Sequence, residues 1–403
     1  MNLPHPKFCV LPWISLEASP IGTVRPCCLA DDEILDNAGN KFELSSANFA
    51  DIQNSKHMQQ LRQQFLDGEQ PQTCRKCWNE ERAGRTSKRM HTLNRMKHMG
   101  ITSDWTRDAK PLMFLDLKLG NICNLKCRIC GSWSSSQFAS EEIAQLPPEE
   151  KKKSYAYTML KAGAWPQENQ QFWTEIDSVL NDIRYIEFTG GEPFMIQEHF
   201  QMLQGIVACG IAHQVEIHYN TNGTQYPEQA PEIWRHFKTV EIAFSIDDLG
   251  KRFEYQRTNA VWQDVEHNIK RFRELRQQYA NIQLQCCSTV NVFNVLYIDQ
   301  LAWWISQQQF NFVYWNIMHD AWYFSIATLP DTAKQAINDH LTTATVPAKF
   351  MEDFRGIRDF MNNGASTDGF MLRMKIADLD RKRNQDLTIV EPEFAQLIDY
   401  VKT

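Results

Sequence analysis

Three cysteines in the eight-residue string CNLKCRIC have the side chains and the spacing that an iron–sulfur cluster requires. They are Cys123, Cys127 and Cys130, in a C-x3-C-x2-C arrangement. Three thiolates hold three irons of a cubane cluster and leave the fourth iron open to a substrate or cofactor. Structural zinc sites instead use four closed ligands, commonly in paired C-x2-C units. The spacing therefore predicts a cluster that takes part in chemistry.

A second group of cysteines precedes this triplet and is large enough to close another site. Its members are Cys9, Cys27, Cys74 and Cys77. The first two belong to a C-x12-G-x4-C pattern, whose Gly22 falls where two short strands need a tight turn with positive φ. Four cysteines suit zinc and an iron–sulfur cluster equally well. Cys28 either replaces Cys27 as a ligand or is a spare thiol near a substrate cavity.

The elements that must position these cysteines follow the pattern of βα units with a parallel sheet. The predicted strands are Met113–Leu119, Tyr185–Thr189, Val215–Tyr219, Val240–Ile246, Ile282–Thr289 and Phe312–Ile317. Active residues in such α/β sheets lie at the carboxyl ends of the strands. The remaining predictions are a hairpin of Trp13–Leu16 with Thr23–Arg25, a helix over Asn48–Gly68, and tail helices over Ala333–Leu341 and Ala348–Asn362.

Polar or glycine-rich motifs follow three of these predicted strands. They are Gly190-Gly191-Glu192-Pro193, Asn220-Thr221-Asn222-Gly223 and Ser245-Ile246-Asp247-Asp248, the last with Arg257 downstream. Backbone carbonyls and a carboxylate accept hydrogen bonds from an ammonium group, and a guanidinium suits a carboxylate. The alternative interpretation is a set of ordinary turns and helix caps.

Composition narrows the class of protein further. The chain has 403 residues, 43% of them hydrophobic, and a net charge of −7. An acidic balance makes a nucleic-acid partner unexpected. No apolar run of membrane-spanning length and no secretory signal is visible, so we expect a cytoplasmic protein without a membrane partner. Eleven cysteines in such a protein indicate metal binding or catalysis rather than disulfides.

Together these motifs resemble the radical SAM superfamily over about residues 5–320. The resemblance implies an α/β fold, with a partial (β/α)6 TIM-like barrel over residues 109–320. A cysteine-rich module similar to the Twitch half of a SPASM domain, with a connecting basic helix, would occupy residues 1–108. A helical C-terminal extension would occupy residues 321–403. In most family members the Twitch module follows the barrel, whereas here it precedes the barrel.

The resemblance also implies cofactors and residue roles. The triplet would hold a SAM-binding [4Fe-4S] cluster, and Cys9, Cys27, Cys74 and Cys77 an auxiliary [4Fe-4S] cluster. For S-adenosylmethionine, the amino group would meet Gly190, Gly191 and Glu192, and Asn220 and Asn222 would lie beside the cofactor. Ser245 would contact the ribose or carboxylate, and Arg257 would pair with the carboxylate. Ile129, in place of the usual aromatic residue, would lie near adenine.

The candidate catalytic residues are two aspartates and two cysteines. Asp247 or Asp248 would face the substrate as a base or a hydrogen-bond acceptor, unless it caps the next helix. Cys286 and Cys287 are adjacent in a predicted strand, so one of them should point into the barrel. That thiol would donate a hydrogen atom to a substrate radical, or it is simply a small buried residue.

The implied reaction is reductive cleavage of S-adenosylmethionine to a 5′-deoxyadenosyl radical, which abstracts a hydrogen atom from the substrate. A flavodoxin or ferredoxin would supply the electron. The predicted substrate is a peptide or protein that is crosslinked, oxidised or epimerised; the alternative is a small metabolite such as a nucleotide or aminosugar. A non-catalytic protein with two zinc sites is the alternative class, but it leaves GGEP unexplained. The basic segment Arg82–His98 is either a solvated linking helix or a dock for an acidic leader peptide or a phosphate.

Overall fold

The computed structural model describes residues 3–82, 86–319 and 321–402. The strands are β1 Ser15–Ala18, β2 Val24–Arg25, β3 Phe114–Lys118, β4 Lys126–Cys127, β5 Tyr185–Thr189, β6 Glu216–Thr221, β7 Thr239–Ser245, β8 Arg257–Thr258, β9 Ile282–Val290 and β10 Phe312–Ile317. The helices are α1 Leu11–Ile14, α2 Phe49–Gln53, α3 Lys56–Leu66, α4 Arg75–Arg82, α5 Lys88–His98, α6 Ser136–Ala144, α7 Pro148–Lys151, α8 Tyr155–Ala162, α9 Trp165–Glu168, α10 Gln170–Val179, α11 Glu198–Ala208, α12 Ala230–Trp234, α13 Gly250–Gln256, α14 Trp262–Gln278, α15 Ile298–Gln307, α16 Asp331–Thr343, α17 Met351–Asn363, α18 Phe370–Arg383, α19 Leu387–Val390 and α20 Pro392–Leu397.

The chain divides into two compact units. The first unit comprises Met1–Cys123, Ser132–Tyr219 and Pro227–Val240, and the second comprises Asn124–Gly131, Asn220–Tyr226 and Glu241–Thr403. Cys123 belongs to the first unit, and Cys127 and Cys130 belong to the second. The six predicted barrel strands are confirmed as β3, β5, β6, β7, β9 and β10, with ends that differ from the prediction by at most two residues. The fold is α/β, as predicted.

The first unit contains neighbouring strands in the order β2-β1-β3-β5-β6. Strands β1, β3, β5 and β6 pair in parallel, and β2 pairs with β1 in the antiparallel direction. The predicted hairpin is present, and Gly22 has the expected positive φ of +83°. The sequence did not reveal that β1 continues the parallel sheet, with Ser15–Ala18 aligned to 114–117 of β3.

One face of this sheet is apolar and packs against helices. Phe188 of β5 stacks on Tyr219 of β6 with ring centroids 5.0 Å apart, and Tyr219 also contacts Trp234 of α12. The phenol of Tyr219 and the ring of His199 in α11 are 3.1 Å apart. Burial of such rings provides most of the driving force for forming this layer.

The single helix predicted over Asn48–Gly68 is wrong in one respect, because the segment forms two helices, α2 and α3. Each helix has its own polar N-cap. Asn48 accepts a hydrogen bond from the Asp51 N–H, and Ser55 accepts one from the Met58 N–H. A side chain that caps the second helix favours a break in the helix at Ser55.

The second unit contains the neighbouring strands β7-β9-β10, with β9 and β10 parallel, and a small antiparallel pair of β4 with β8. Helices α13 to α20 belong to this unit. The tail is helical as predicted. Helix α16 extends two residues beyond the predicted range at each end, whereas α17 begins three residues later than predicted and ends one residue later. Helices α18, α19 and α20 were not predicted. None of the helices in the described parts of the chain is both long and apolar enough to cross a membrane.

Candidate functional site

Four thiols of the first unit surround one small enclosed cavity. Its lining comprises Cys9, Cys27, Cys74 and Cys77, together with Leu11, Leu29, Ala30, Phe65, Trp78 and Arg89. The structure therefore brings together the four cysteines that the sequence grouped, although Cys9 and Cys77 are 68 positions apart in the chain. Apart from Arg89, the remaining side chains of the lining are apolar. Cys9 and Cys77 are buried, whereas Cys27 and Cys74 are half-buried.

The chemistry of this donor set fits a cluster. Burial raises the pKa of the Cys9 thiol, and the neighbouring Cys74 and Cys27 thiols raise it further. Burial likewise raises the pKa of Cys27 to about 11. Cationic irons would offset both effects and stabilise the thiolates. Among the described residues, no three His, Cys, Asp or Glu side chains converge closely enough to hold a single ion. Four thiols around one cavity can complete the ligand set of a cubane cluster.

Cys28 lies in a different environment from its neighbour Cys27. It does not line the four-cysteine cavity. Burial raises the pKa of its thiol, and after burial the largest influences are the charges of Asp116, Lys88 and Glu187. These groups belong to β3, α5 and β5, so Cys28 is close to the polar face of the first unit's sheet. The arrangement favours Cys27 as the ligand and leaves Cys28 as the spare thiol.

Arg89 anchors the segment before Cys9. Its Nη1 donates to the carbonyl oxygens of Pro6 and Phe8, both at 2.9 Å, and its guanidinium pairs with Glu81 at 2.7 Å. Other cations of the basic segment Arg82–His98 also form ion pairs within the protein: Lys88 pairs with Glu187, and Arg95 with Glu216. Within the described part of the segment, which omits residues 83–85, these pairings count against a dock for an acidic leader peptide.

The glycine motif packs closely on the loop that leads to Cys123. Gly190 has a φ of +108°, and a Cβ on it would lie 2.8 Å from the Gly120 carbonyl oxygen. A Cβ on Gly191 would overlap the Ile122 carbonyl oxygen. The Glu192 N–H donates to that same oxygen at 2.8 Å. Missing side chains therefore let the motif and the cysteine loop touch through their backbones.

Glu192 and Cys123 each make a local contact that the sequence did not reveal. The Glu192 side chain accepts a hydrogen bond from the Phe194 N–H at 3.3 Å and is 1% exposed. The Cys123 N–H donates to the Ser136 hydroxyl, which donates in turn to the Cys123 carbonyl oxygen, both at 3.2 Å. Ser136 begins α6, and its role could not be recognised without the fold.

In the second unit, Arg257 lies beside Cys127. The two residues are partners in the β4–β8 pair, and Arg257 Nη1 is 3.8 Å from Cys127 Sγ. Arg257 Nε and Nη2 both donate to Asp247 Oδ2, at 3.0 and 2.7 Å. Asp247 Oδ1 accepts the Thr289 N–H at 2.8 Å. Asp247 thus holds Arg257 through one carboxylate oxygen and is itself held by the backbone through the other, which is the geometry of a positioning residue.

Asp248 faces different partners. Its Oδ1 accepts hydrogen bonds from the Leu249 N–H at 2.8 Å and from Arg252 Nε at 2.9 Å, and its Oδ2 accepts one from Gln256 at 3.1 Å. Burial raises the pKa of Asp248 to about 7. These contacts connect the end of β7 to α13, but Asp248 does not cap the helix, because the N-cap residue of α13 is Leu249 and no side chain makes a cap hydrogen bond there.

The asparagine motif is tied to the cysteine loop by side-chain hydrogen bonds. Asn222 Nδ2 donates to Asn124 Oδ1 at 3.0 Å, and Asn124 Nδ2 donates to the Thr224 hydroxyl at 2.8 Å. Asn222 Oδ1 accepts from the Thr224 N–H at 2.9 Å. Asn220 Oδ1 accepts from the Tyr314 hydroxyl at 3.2 Å. Asn124 and Thr224 thus belong to the site, although neither residue type alone signals a function.

The remaining predicted residues of the second unit are three strand residues and one loop residue. Ser245 ends β7 and is half-buried, as is Ile129 in the cysteine loop. Cys287 accepts a hydrogen bond from Asn316 Nδ2 at 3.1 Å, whereas Cys286 is fully buried, with Ser288 Oγ 4.0 Å from its sulfur. Burial raises the pKa of Cys287 to about 12. Of the two thiols, Cys287 is the one on the polar side of β9.

Comparison with known protein families identifies two regions. The family described as the radical SAM superfamily matches residues 117–289, and an iron–sulfur cluster-binding domain named SPASM matches residues 9–78. The first match contains the cysteine triplet and the three polar motifs. The second contains the four cysteines of the enclosed cavity. No curated protein matches the sequence.

The solved structures that match part of this chain include two groups. Native anSMEcpe with bound AdoMet matches with 17% identity and a TM-score of 0.38, over 63% of this chain and 62% of that one. Streptococcus suis SuiB bound to precursor peptide SuiA matches with 15% identity and a TM-score of 0.33, over 62% of this chain and 48% of that one. The chain thus spans less than two thirds of the length of either structure.

Proposed function

We propose that this chain, a radical SAM protein with a SPASM domain ahead of its radical SAM domain, removes a hydrogen atom from a peptide or protein substrate. Its cofactors are a SAM-binding [4Fe-4S] cluster, an auxiliary [4Fe-4S] cluster and S-adenosylmethionine. When bound, they supply an electron and the 5′-deoxyadenosyl radical, which is chemistry that no side chain provides. We expect a flavodoxin or ferredoxin to be the electron donor.

The observation that carries this proposal is the separation of the thiols into a closed set and an open set. Cys9, Cys27, Cys74 and Cys77 surround one cavity and would complete the ligand shell of one cluster. The C-x3-C-x2-C loop offers three thiols and leaves one iron open. A fully ligated auxiliary cluster cannot bind substrate at iron, so we assign it to electron transfer.

Residues near the cysteine triplet would bind and orient S-adenosylmethionine. We assign Arg257 to the carboxylate of S-adenosylmethionine, with Asp247 holding its guanidinium in place. Gly190 and Gly191 keep side chains out of the space beside the cysteine loop, so a ligand's amino group can reach the backbone there. Cys287, rather than Cys286, is the candidate hydrogen-atom donor, because its sulfur lies among polar groups.

A peptide substrate is favoured over a nucleotide by the charges on the polar face of the first unit's sheet. Arg25 and Lys118 pair with Glu17, and Lys88 pairs with Glu187. Cations that are engaged by carboxylates are poor partners for a phosphate, and the carboxylates themselves would repel one. This argument leaves an aminosugar as the second candidate, because it carries no phosphate of its own.

The test is metal and product analysis of the anaerobically reconstituted protein. We expect about eight irons and eight sulfides per chain, as two cubane clusters require. The reduced protein should release 5′-deoxyadenosine from S-adenosylmethionine, and the variant with Cys123, Cys127 and Cys130 changed to alanine should keep about half of the iron but release none. Bound zinc without iron, or no 5′-deoxyadenosine from the iron-loaded protein, would refute the proposal.

A further inference from the structure

A row of polar side chains crosses the first unit's sheet at one level. Cross-strand pairing aligns Arg25 of β2 with Glu17 of β1, Glu17 with Asp116 of β3, Asp116 with Glu187 of β5, and Glu187 with His218 of β6. In register, such residues point to the same face of a sheet. We call Arg25, Glu17, Asp116, Glu187 and His218 the polar row.

Three members of the polar row are buried, and the other two, Arg25 and Glu187, are half-buried. Glu17 is 0% exposed, Asp116 6% and His218 8%. The opposite face of the same strands is the apolar layer around Phe188 and Tyr219. Burying charges costs free energy even when they are paired, and apolar residues would stabilise the sheet at least as well. The presence of several charges on this largely buried face therefore indicates a role in binding.

The cations around the polar row neutralise its carboxylates almost completely. Glu17 accepts hydrogen bonds from both Arg25, at 2.8 Å, and Lys118. Lys88 reaches in from α5 and donates to Glu187 at 2.6 Å. Three carboxylates thus face three cations, so the site as a whole carries little net charge. A ligand with a positive or a negative charge would disturb this balance of charges, whereas a neutral polar group would not.

One carboxylate oxygen in the row lacks a hydrogen-bond partner. Asp116 Oδ2 is buried, and no described residue donates a hydrogen bond to it. Lys88 Nζ is 4.0 Å away, too far for a hydrogen bond, and is committed to Glu187. A buried acceptor without a donor costs about 1–3 kcal/mol, more when charged, so it marks a place where a ligand donor is missing.

We propose that Asp116 is the substrate-recognition carboxylate of this enzyme, and that its Oδ2 accepts a hydrogen bond from a neutral N–H or O–H group of the substrate. A peptide amide or a side-chain hydroxyl has this chemistry. Cys28 belongs to the same site, because its thiol interacts electrostatically with Asp116, Lys88 and Glu187. The inference rests on the proposed function and specifies how that function selects its substrate.

The test compares Asp116→Asn with the wild-type holoenzyme. Asparagine keeps the shape of the side chain but replaces an acceptor oxygen with an N–H donor. The probes are the macromolecular and the small-molecule ultrafiltration fractions of a host-cell extract, and the readout is the amount of fraction that half-maximally stimulates 5′-deoxyadenosine release. We expect this amount to rise about tenfold or more for the fraction that stimulates the wild type.

Two further variants serve as controls. Asp177→Asn makes the same chemical change at an exposed position of α10 and should leave the half-stimulating amount unchanged. Asp116→Glu keeps a carboxylate and should recover part of the stimulation. Iron content and melting temperature, measured for all the variants, separate loss of recognition from loss of folding.

A pH profile distinguishes recognition from a merely structural role. Burial and the charge of Glu187 raise the pKa of Asp116 to about 6, although Lys88 and Lys118 act in the opposite direction. The other ionisable groups beside Asp116 are Glu17 and Cys28. Stimulation of the wild type should therefore decline as pH falls through about 6. In Asp116→Asn this step should be absent, because an amide does not titrate there.

The possible results distinguish failure of the inference about Asp116 from failure of the proposed function. If Asp116→Asn and the wild type have the same half-stimulating amount, or if a wild type that cleaves S-adenosylmethionine responds to neither fraction, the inference about Asp116 is overturned. Loss of stimulation by the small fraction in Asp116→Asn would support Asp116 and contradict the peptide assignment. A wild type that releases no 5′-deoxyadenosine under any condition would overturn the proposed function, and the inference with it.

Discussion

The guanidinium of Arg128 is buried against the carboxylate of Asp380, which ties the cysteine loop to a helix 252 positions further along the chain. Arg128 lies between Cys127 and Cys130, and its guanidinium carbon is 3.5 Å from the ring centroid of Tyr255. Asp380 also accepts a hydrogen bond from the Tyr255 hydroxyl at 2.8 Å. Helix α18 therefore forms part of the support of the cysteine loop.

Removing the charge of Asp380 should destabilise this loop. Asp380→Asn leaves the Arg128 guanidinium buried without its counter-ion, and breaking a buried pair in this way costs about 3–5 kcal/mol. We expect a lower melting temperature and faster loss of iron from the open cluster, measured by thermal unfolding and by absorbance during chelation. Asp378→Asn, which affects a more exposed pair with Arg381 and Lys382 on the same helix, should cost less than about 1 kcal/mol. Equal effects of the two variants would show that α18 does not support the loop.

The auxiliary site should depend on Cys27 and not on Cys28. Cys27→Ala removes a thiol of the enclosed cavity, whereas Cys28→Ala removes one that lies outside it. We expect Cys27→Ala to lose the auxiliary cluster, about four irons per chain, and Cys28→Ala to keep all of its iron. Iron and sulfide analysis with electron paramagnetic resonance of the reduced proteins measures both. Iron loss only in Cys28→Ala would reverse the ligand assignment.

Gly191→Ala should disrupt the contact between the glycine motif and the cysteine loop. The added methyl group would overlap the Ile122 carbonyl oxygen, which is backbone and cannot move aside without shifting the loop. Overpacking of this kind costs about 1–3 kcal/mol. Gly356→Ala in α17 meets open space and should be neutral or stabilising by up to about 1 kcal/mol. Chemical unfolding and iron content are the measurements, and a Gly191→Ala protein as stable as the wild type would contradict the packing described here.

Asp247→Asn should weaken binding of S-adenosylmethionine without abolishing the clusters. Asp247 holds two guanidinium nitrogens of Arg257, so an amide would leave that guanidinium less firmly oriented. We expect the dissociation constant for S-adenosylmethionine, measured by calorimetry on the reconstituted protein, to rise about 10- to 100-fold. Asp248→Asn, whose partners are Arg252 and Gln256, should affect stability more than binding. Unchanged affinity in Asp247→Asn would exclude Asp247 as a positioning residue.

The sequence predicted the elements whose signals are local. Alternation of apolar runs located β5 and β10 at their observed ends, and the Gly22 turn followed from a single residue type. Cysteine spacing grouped the four thiols of the enclosed cavity correctly. The break at Ser55 could also have been predicted, because a serine three residues before Met58 is an N-cap signal.

Contacts between distant parts of the chain could not be predicted in this way. The alignment of Ser15 with Phe114 makes β1 a strand of the main sheet, and no pattern within either segment reveals it. The same holds for Arg128 and Asp380, and for the register that places Glu17, Asp116 and Glu187 in one row. Such relationships depend on which strands become neighbours, which is a property of the whole fold.

The most direct test of the account is 5′-deoxyadenosine release by the anaerobically reconstituted, reduced protein, with and without host-cell extract divided by ultrafiltration. The account predicts slow release without extract and a clear stimulation by the macromolecular fraction, followed by a mass change in one of its peptides or proteins. Stimulation by the small-molecule fraction alone would contradict the peptide assignment. No release from a protein that holds both clusters would contradict the catalytic assignment itself.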